Sequence, residues 1–289
     1  MEHALIVGVD GSEPSLRALD WAVDEADRRA LPLRVVHASS WEWYEGHEPS
    51  FGINRALVRA EADRVLADAA ERAHSRSSSV EVTSQVLDED PAAALIRESR
   101  TAGAVLVGSR GRGRLAGLLL GSVSLSVAAH ARCPVIVVRG EERNLDGRHR
   151  RVAVGIDGAA DADAVLDFAL RGAQRRGAAV DLVHAWRCPA HEAPDRPRAT
   201  DAADPHQQRA EARVRGVLDA VPPPGAAVAV RRRVVEGDAR AALLDAAATA
   251  DLLVVGARRR TSHVGMQLGP VNHAVLHHAA CPVAVVPHR

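Results

Sequence analysis

ALIVGVDGS, Ala4–Ser12, reads as a short apolar strand ending in a turn that carries one carboxylate, and it returns as RVAVGIDGA at Arg151–Ala159. The match sets Asp10 against Asp157. Further along, RVVHA (Arg34–Ala38) returns as DLVHA (Asp181–Ala185), which sets His37 against His184. AVLVGSRGR (Ala104–Arg112) returns as LLVVGARRR (Leu252–Arg260), and CPVIVV (Cys133–Val138) as CPVAVV (Cys281–Val286). The segments keep their order at an offset of about 147 residues early and 148 late. A period this long marks two whole domains rather than a solenoid. The 289 residues divide into domains at 1–140 and 150–289, with a polar linker near Gly140–Arg150.

Within each copy the Val/Ile/Leu runs show no polar alternation, the pattern of strands buried on both faces. In the first copy they lie at Ala4–Val9, Leu33–Ala38, Val80–Leu87, Ala104–Gly108 and Val135–Val138. Helices are expected between them at Glu13–Ala30, Asn54–His74, Asp90–Arg100 and Ser122–Ala131. Ser12 and Asp90 are suitable N-caps, and Pro14 and Pro91 suit a first helical turn. Strands alternating with helices imply a parallel, doubly wound α/β sheet covered on both faces. Composition agrees: 47% of residues are apolar, 26% are charged and only 2% are aromatic, so Ala, Val and Leu fill the cores.

Composition also excludes chemistry. Every basic residue is Arg, so a Walker A lysine, a lysine Schiff base and a kinase-type lysine are ruled out. Net charge is zero, which argues for neither nucleic acid nor an anionic membrane as partner. Cys133, Cys188 and Cys281 form no C-x-x-C pair. MEHALIVGVDGS lacks a basic region followed by a long apolar run, and no apolar run approaches a membrane span, so the cytoplasm is the expected compartment.

In doubly wound sheets ligands bind beyond the carboxyl ends of the strands at the switch point. Strand one ends in Gly8-Val9-Asp10-Gly11-Ser12 and strand four in Gly108-Ser109-Arg110-Gly111-Arg112, continuing to Gly121-Ser122-Val123-Ser124 where the last helix starts. Gly108, Gly111 and Gly121 allow a ligand to approach the backbone. A helix starting at Ser122 offers unpaired amides and the positive end of its dipole, a phosphate site, with Ser122 and Ser124 as hydroxyl donors. Arg110, Arg112 and Arg114 offset phosphate charge, and Asp10 is placed to accept from ribose hydroxyls. Taken singly, each has a plainer reading: a turn, a cap, a solvated loop. Together, at two adjacent strand ends, they describe a nucleotide site.

These residues resemble the universal stress protein family in its ATP-binding branch. Gly108, Gly111, Gly121 and Ser122 fit that branch's Gly-x2-Gly-x9-Gly-Ser/Thr spacing throughout, and Gly-x-Asp-Gly-Ser and Cys-Pro-Val-x-Val-Val are similar to the family as well. The resemblance covers both halves. It implies an adenine nucleotide alpha-hydrolase-like fold, five strands per domain in the order 3-2-1-4-5, with the fifth strands meeting across a pseudo-two-fold axis and tandem chains pairing as homodimers. It implies ATP, with Mg2+ as its accompanying ion. Asp10 would meet ribose and adenine, the backbone of Val36 and His37 would lie near adenine, and Gly108, Gly111, Gly121, Ser122 and Val123 would line ribose and phosphates.

The second copy departs from this pattern. Gly256 and Gly269 are kept, but Arg259 replaces the middle glycine and Pro270 replaces Ser122's equivalent. Pro removes one amide donor, and Arg259 crowds the phosphate path. Asp157, Gly158 and Val183 keep the sugar and base side; Arg258, Val271 and Asn272 complete the altered phosphate side, which is expected to bind ATP more weakly.

Other features carry less. His273 and His277 stand four apart on an expected helix, so a metal pair is conceivable, but His130 and Cys133 repeat the placement of His278 and Cys281, which points to framework. Trp41-Glu42-Trp43-Tyr44 is either a stacking surface or a loop anchor. Three functions are compatible with the sequence: a nucleotide-dependent stress or regulatory protein with little or no catalysis, a weak ATPase or ATP-using enzyme, and an interaction scaffold that has lost nucleotide binding in its second half. The adenylylating loops Ser-Gly-Gly-x-Asp-Ser and His-x-Gly-His are absent. A protein partner is expected, but the residues do not identify it.

Overall fold

The computed structural model describes residues 3–39, 55–111, 120–157, 162–188, 204–220, 228–258 and 268–288. Strand and helix alternate as the apolar runs and caps dictate. The first half holds β1 (Leu5–Gly8), α1 (Glu13–Arg29), β2 (Leu33–Ala38), α2 (Arg55–Arg76), β3 (Val82–Leu87), α3 (Pro91–Glu98), β4 (Ala104–Gly108), α4 (Ser122–His130) and β5 (Val135–Val138). After a one-turn helix α5 (Glu142–Leu145) the second half repeats the plan. It runs β6 (Arg151–Gly155), α6 (Ala162–Arg176), β7 (Ala179–Trp186), α7 (Pro205–Ala220), β8 (Val230–Glu236), α8 (Ala239–Ala247), β9 (Leu252–Arg258), α9 (Pro270–His278) and β10 (Val283–His288). Ser12 caps α1 by accepting from the Ser15 amide, and Asp90 caps α3 by accepting from the Ala93 amide.

The strands form one ten-stranded sheet in the order β3-β2-β1-β4-β5-β10-β9-β6-β7-β8. Each half is parallel, and the halves join where β5 and β10 pair antiparallel, with Val135 opposite Val285, Ile136 opposite Ala284 and Val137 opposite Val283. Successive strand residues face opposite layers. Leu5, Val7 and Leu106 pack beneath α1, α2, α6 and α7, whereas Ile6, Val105 and Val107 pack beneath α3, α4, α8 and α9. Among the described residues no helix is long and apolar enough to cross a membrane.

The linker is more structured than its polar composition suggests. Asn144, 1% exposed, donates its side-chain amide to the Ala250 carbonyl at 2.8 Å, just beyond the carboxyl end of α8. Asp251 receives the amides of His149 at 2.9 Å and Arg151 at 3.1 Å. Backbone donors and acceptors that a solvated linker would leave to water are thereby met within the chain.

α1 and α6 meet across the pseudo-two-fold. Arg29 lies over the Phe168 ring at 5.4 Å and Arg176 over the Trp21 ring at 5.1 Å, each cation on the other half's aromatic. Both guanidinium groups converge on Glu25, Arg29 at 2.6 Å and Arg176 at 2.5 Å, and Arg28 lies 3.6 Å away. Burial opposes the Glu25 charge, but Arg176, Arg29 and Arg28 together hold its carboxyl below the usual range. The repeat puts Gly172 opposite Glu25, so the acid that Arg29 and Arg176 share comes from the first half. A cavity of about 110 Å³ beside it, bordered by Trp21, Arg176 and the linker, lies at the amino ends of the strands, away from the loops discussed next.

Candidate nucleotide site

The loop after β1 folds back on the first turn of α1. The Ser12 amide donates to Asp10 Oδ1 at 3.0 Å, and the Asp10 amide donates to Ser15 Oγ at 3.3 Å. The Ser15 hydroxyl donates to the Ser12 carbonyl at 2.8 Å. Ser15 is buried, and the motif reading missed it; its position three residues after the N-cap was the available signal. These bonds fix the Asp10 carboxylate with Oδ2 against the loop that follows β4.

That loop is shaped by close approach. A Cβ on Gly111 would overlap Oδ2 of Asp10, and one on Gly108 would lie 2.5 Å from the Pro14 carbonyl oxygen. Ser109, also missed, is buried and braces both sides: its amide donates to the Val138 carbonyl at 3.1 Å and its carbonyl accepts from the Gly121 amide at 2.8 Å. Arg110 and Gly111 are exposed. Gly121 is the N-cap of α4 and makes no side-chain cap bond, unlike Ser12 and Asp90, so the amides of Ser122 and Val123 open the helix without a side-chain acceptor. Ser122 is exposed. Ser124 is buried, and its hydroxyl donates to the Gly108 carbonyl at 2.6 Å, so it braces the strand end from beneath.

Val9 donates its amide to the Val36 carbonyl at 2.9 Å. His37 Nδ1 lies 2.8 Å from the Val9 carbonyl; because a carbonyl only accepts, Nδ1 carries the proton. Gly8, Val9, Asp10, Gly11, Ser12, Val36, His37, Gly108, Arg110, Gly111, Gly121, Ser122, Val123 and Ser124 thus lie at the carboxyl ends of the adjacent strands β1, β2 and β4 and at the start of α4. Arg112 and Arg114 lie outside the described residues, as do Trp41 to Tyr44.

The second half reproduces the frame. His184 Nδ1 lies 3.0 Å from the Ile156 carbonyl, the Ile156 amide donates to the Val183 carbonyl at 3.1 Å, and Asn272 donates to the Gly256 carbonyl at 2.8 Å as Ser124 does to Gly108. Asp157 is exposed and its carbonyl accepts from Arg213 at 3.5 Å. The strand end differs. β9 continues through Ala257 and Arg258, which pair with Pro287 and His288 of β10. A Cβ on Gly256 would meet the His288 ring at 2.9 Å and Val165 at 3.0 Å. Gly269 caps α9 without a side-chain bond, and Pro270 occupies the first turn, followed by Val271. Gly158, Arg259 and His263 lie outside the described residues.

Among the described residues no group of three or more His, Cys, Asp or Glu side chains converges on a metal position. His273 instead stacks on His277 at 5.6 Å. Cys281 is fully buried, which pushes its thiol up to about 12, and Cys133 is buried at the corresponding place.

Comparison with known proteins agrees with this architecture. The model of the Universal stress protein family matches residues 1–139 and again 148–287. The universal stress protein Rv2005c of Mycobacterium tuberculosis is 35% identical over 296 residues, covering 98% of this chain and 97% of the relative. The universal stress protein Rv1996 of the same organism is 33% identical over 304 residues, covering 97% and 94%. The crystal structure of a universal stress protein from Archaeoglobus fulgidus superposes with a TM-score of 0.71 at 20% identity over 98% of each chain, which is a likeness of fold. With the family model matched twice and the relatives aligned from end to end, this chain belongs to the universal stress protein family.

Proposed function

We propose that the chain is a nucleotide-dependent regulatory protein whose first domain, 1–140, binds ATP, and whose second, 150–289, binds it more weakly. The observation that carries this reading is the meeting of Asp10 with Gly111: a carboxylate oriented by the Ser12 amide lies where a Cβ on Gly111 would have to displace it, beside a helix start without a side-chain cap. A carboxylate suits ribose hydroxyls, and open amides at a positive helix end suit phosphate. Asp10 would take the sugar, the Val36–His37 backbone the base, and Gly108, Gly111, Gly121, Ser122 and Val123 the ribose and phosphates. Mg2+ would arrive with the nucleotide, since no three described ligands converge to hold it.

No nucleophile–base pair stands beside the loop among the described residues: Ser124 and Ser15 both donate to backbone carbonyls. Occupancy rather than turnover is the signal this reading expects. Mass spectrometry of ligand released from purified protein, with calorimetric titration of ATP, tests this. One tight ATP per chain is expected; no released nucleotide and no heat at millimolar ATP would overturn it.

A further inference from the structure

Arg139 follows β5 directly. Val138 is in register with Gly108, and its carbonyl holds the Ser109 amide, so Arg139 leaves the sheet beside the loop that starts the candidate phosphate site. Its Nη1 donates to the Leu276 carbonyl in the last turn of α9, where a cation meets the negative helix end. Its Nε is buried and without a hydrogen-bond partner. Among the described residues no carboxylate pairs with it, and burial pulls its pKa down, against the opposing influence of Cys281 and with a smaller contribution from Arg110. A partly buried guanidinium held by a single carbonyl and unmatched by a carboxylate is a poor arrangement for the chain alone and a good one beside a polyanion. The second half supplies a contrast. The repeat puts Pro287 where Arg139 stands, and Pro287 is built into the β9–β10 ladder.

We infer that Arg139 is a phosphate-recognising residue of the first site, which together with Arg110 answers the charge of the outer phosphates and makes the site prefer a nucleoside triphosphate over a monophosphate. The inference rests on the ATP reading of that site. Because the same guanidinium holds α9, it also gives the outer phosphates a direct contact with the second domain.

Binding of adenosine, AMP and ATP to the full chain, to Arg139→Gln and to Arg139→Lys tests it. Wild type is expected to favour ATP over AMP. Arg139→Gln should weaken ATP by about tenfold or more while leaving adenosine and AMP within about twofold, and Arg139→Lys should recover most of the loss by keeping the charge. An unchanged ATP-to-AMP ratio in Arg139→Gln overturns the inference while leaving the ATP site standing. So does an equal loss for all three compounds, which marks a packing role through α9. Wild type that binds none of the three overturns the site itself, and with it the inference.

Discussion

The ends of β4 and β9 are the same place in the repeat, yet they do different things. β4 stops at Gly108, and the chain turns back so that Gly111 lies on the Asp10 carboxylate. β9 runs two residues past Gly256, and its extra residues zip against Pro287 and His288. The direction that meets the Pro14 carbonyl from Gly108 meets the His288 ring from Gly256. In the first half the start of α1 closes on the strand end and leaves a loop; in the second a side chain from β10 fills that space. A shared sheet topology therefore fixes where the two strands end relative to the sheet but not at which residue each leaves the ladder.

The α1–α6 junction offers the largest way to sharpen this contrast. Glu25 is 1% exposed and Gly172 stands in its place in the other half. Glu25→Ala strands the guanidinium groups of Arg29 and Arg176, and chemical denaturation should show a loss of about 3–5 kcal/mol. Glu25's folded pKa lies below its ordinary 4.5, so its stabilisation is complete above that value and is lost as pH falls through the folded one. Wild type should accordingly lose more stability than Glu25→Gln between about pH 5 and pH 3. Equal pH dependence of the two proteins would sever Glu25 from the acid response.

The second test breaks the comparison at the loop. Gly111→Val places a branched side chain where the Asp10 carboxylate lies, and ATP affinity should fall by about a hundredfold or more, with the melting temperature little changed because Gly111 is exposed. If binding instead persists at wild-type strength, the ATP bound by the chain does not sit in the first half. The third test probes what the halves share. Ser124→Ala and Asn272→Ala each remove a donor to a strand-end carbonyl, and each should cost about 1–2 kcal/mol by thermal or denaturant unfolding, only the former also weakening ATP. The smallest effect concerns the thiols. Cys133 and Cys281 occupy matched buried positions and Cys188 is unique to the second half, so a thiol reagent at about pH 8 should label Cys188 first and Cys281 last.

Much of this was legible in the sequence. Apolar runs of buried-strand type located β1, β2, β4 and β5 to within a residue, because a strand covered on both faces admits little else. Ser12 and Asp90 announced helix starts through local chemistry alone. The linker was read from its polarity, and that missed Asn144, whose burial depends on carbonyls more than a hundred residues away. Ser15 and Ser109 were passed over for the same reason: a hydroxyl or amide earns its place by partners that a linear reading does not show. Ser124 looked like a ligand donor by position, whereas packing turns it to Gly108.

The sequence by itself determined the two-domain repeat, the parallel α/β class, and a carboxylate and a glycine loop at strand ends, since hydrophobic period, caps and turn residues act over a few residues, whereas the strand order came only with the family resemblance. Only the tertiary structure decided that Asp10 touches Gly111, that Arg29 and Arg176 share one acid, that His288 fills the second strand end, and that Arg139 spans from the loop to α9. Each of these is a contact between segments far apart in the chain, where close packing, burial of charge and the meeting of β5 with β10 set the outcome.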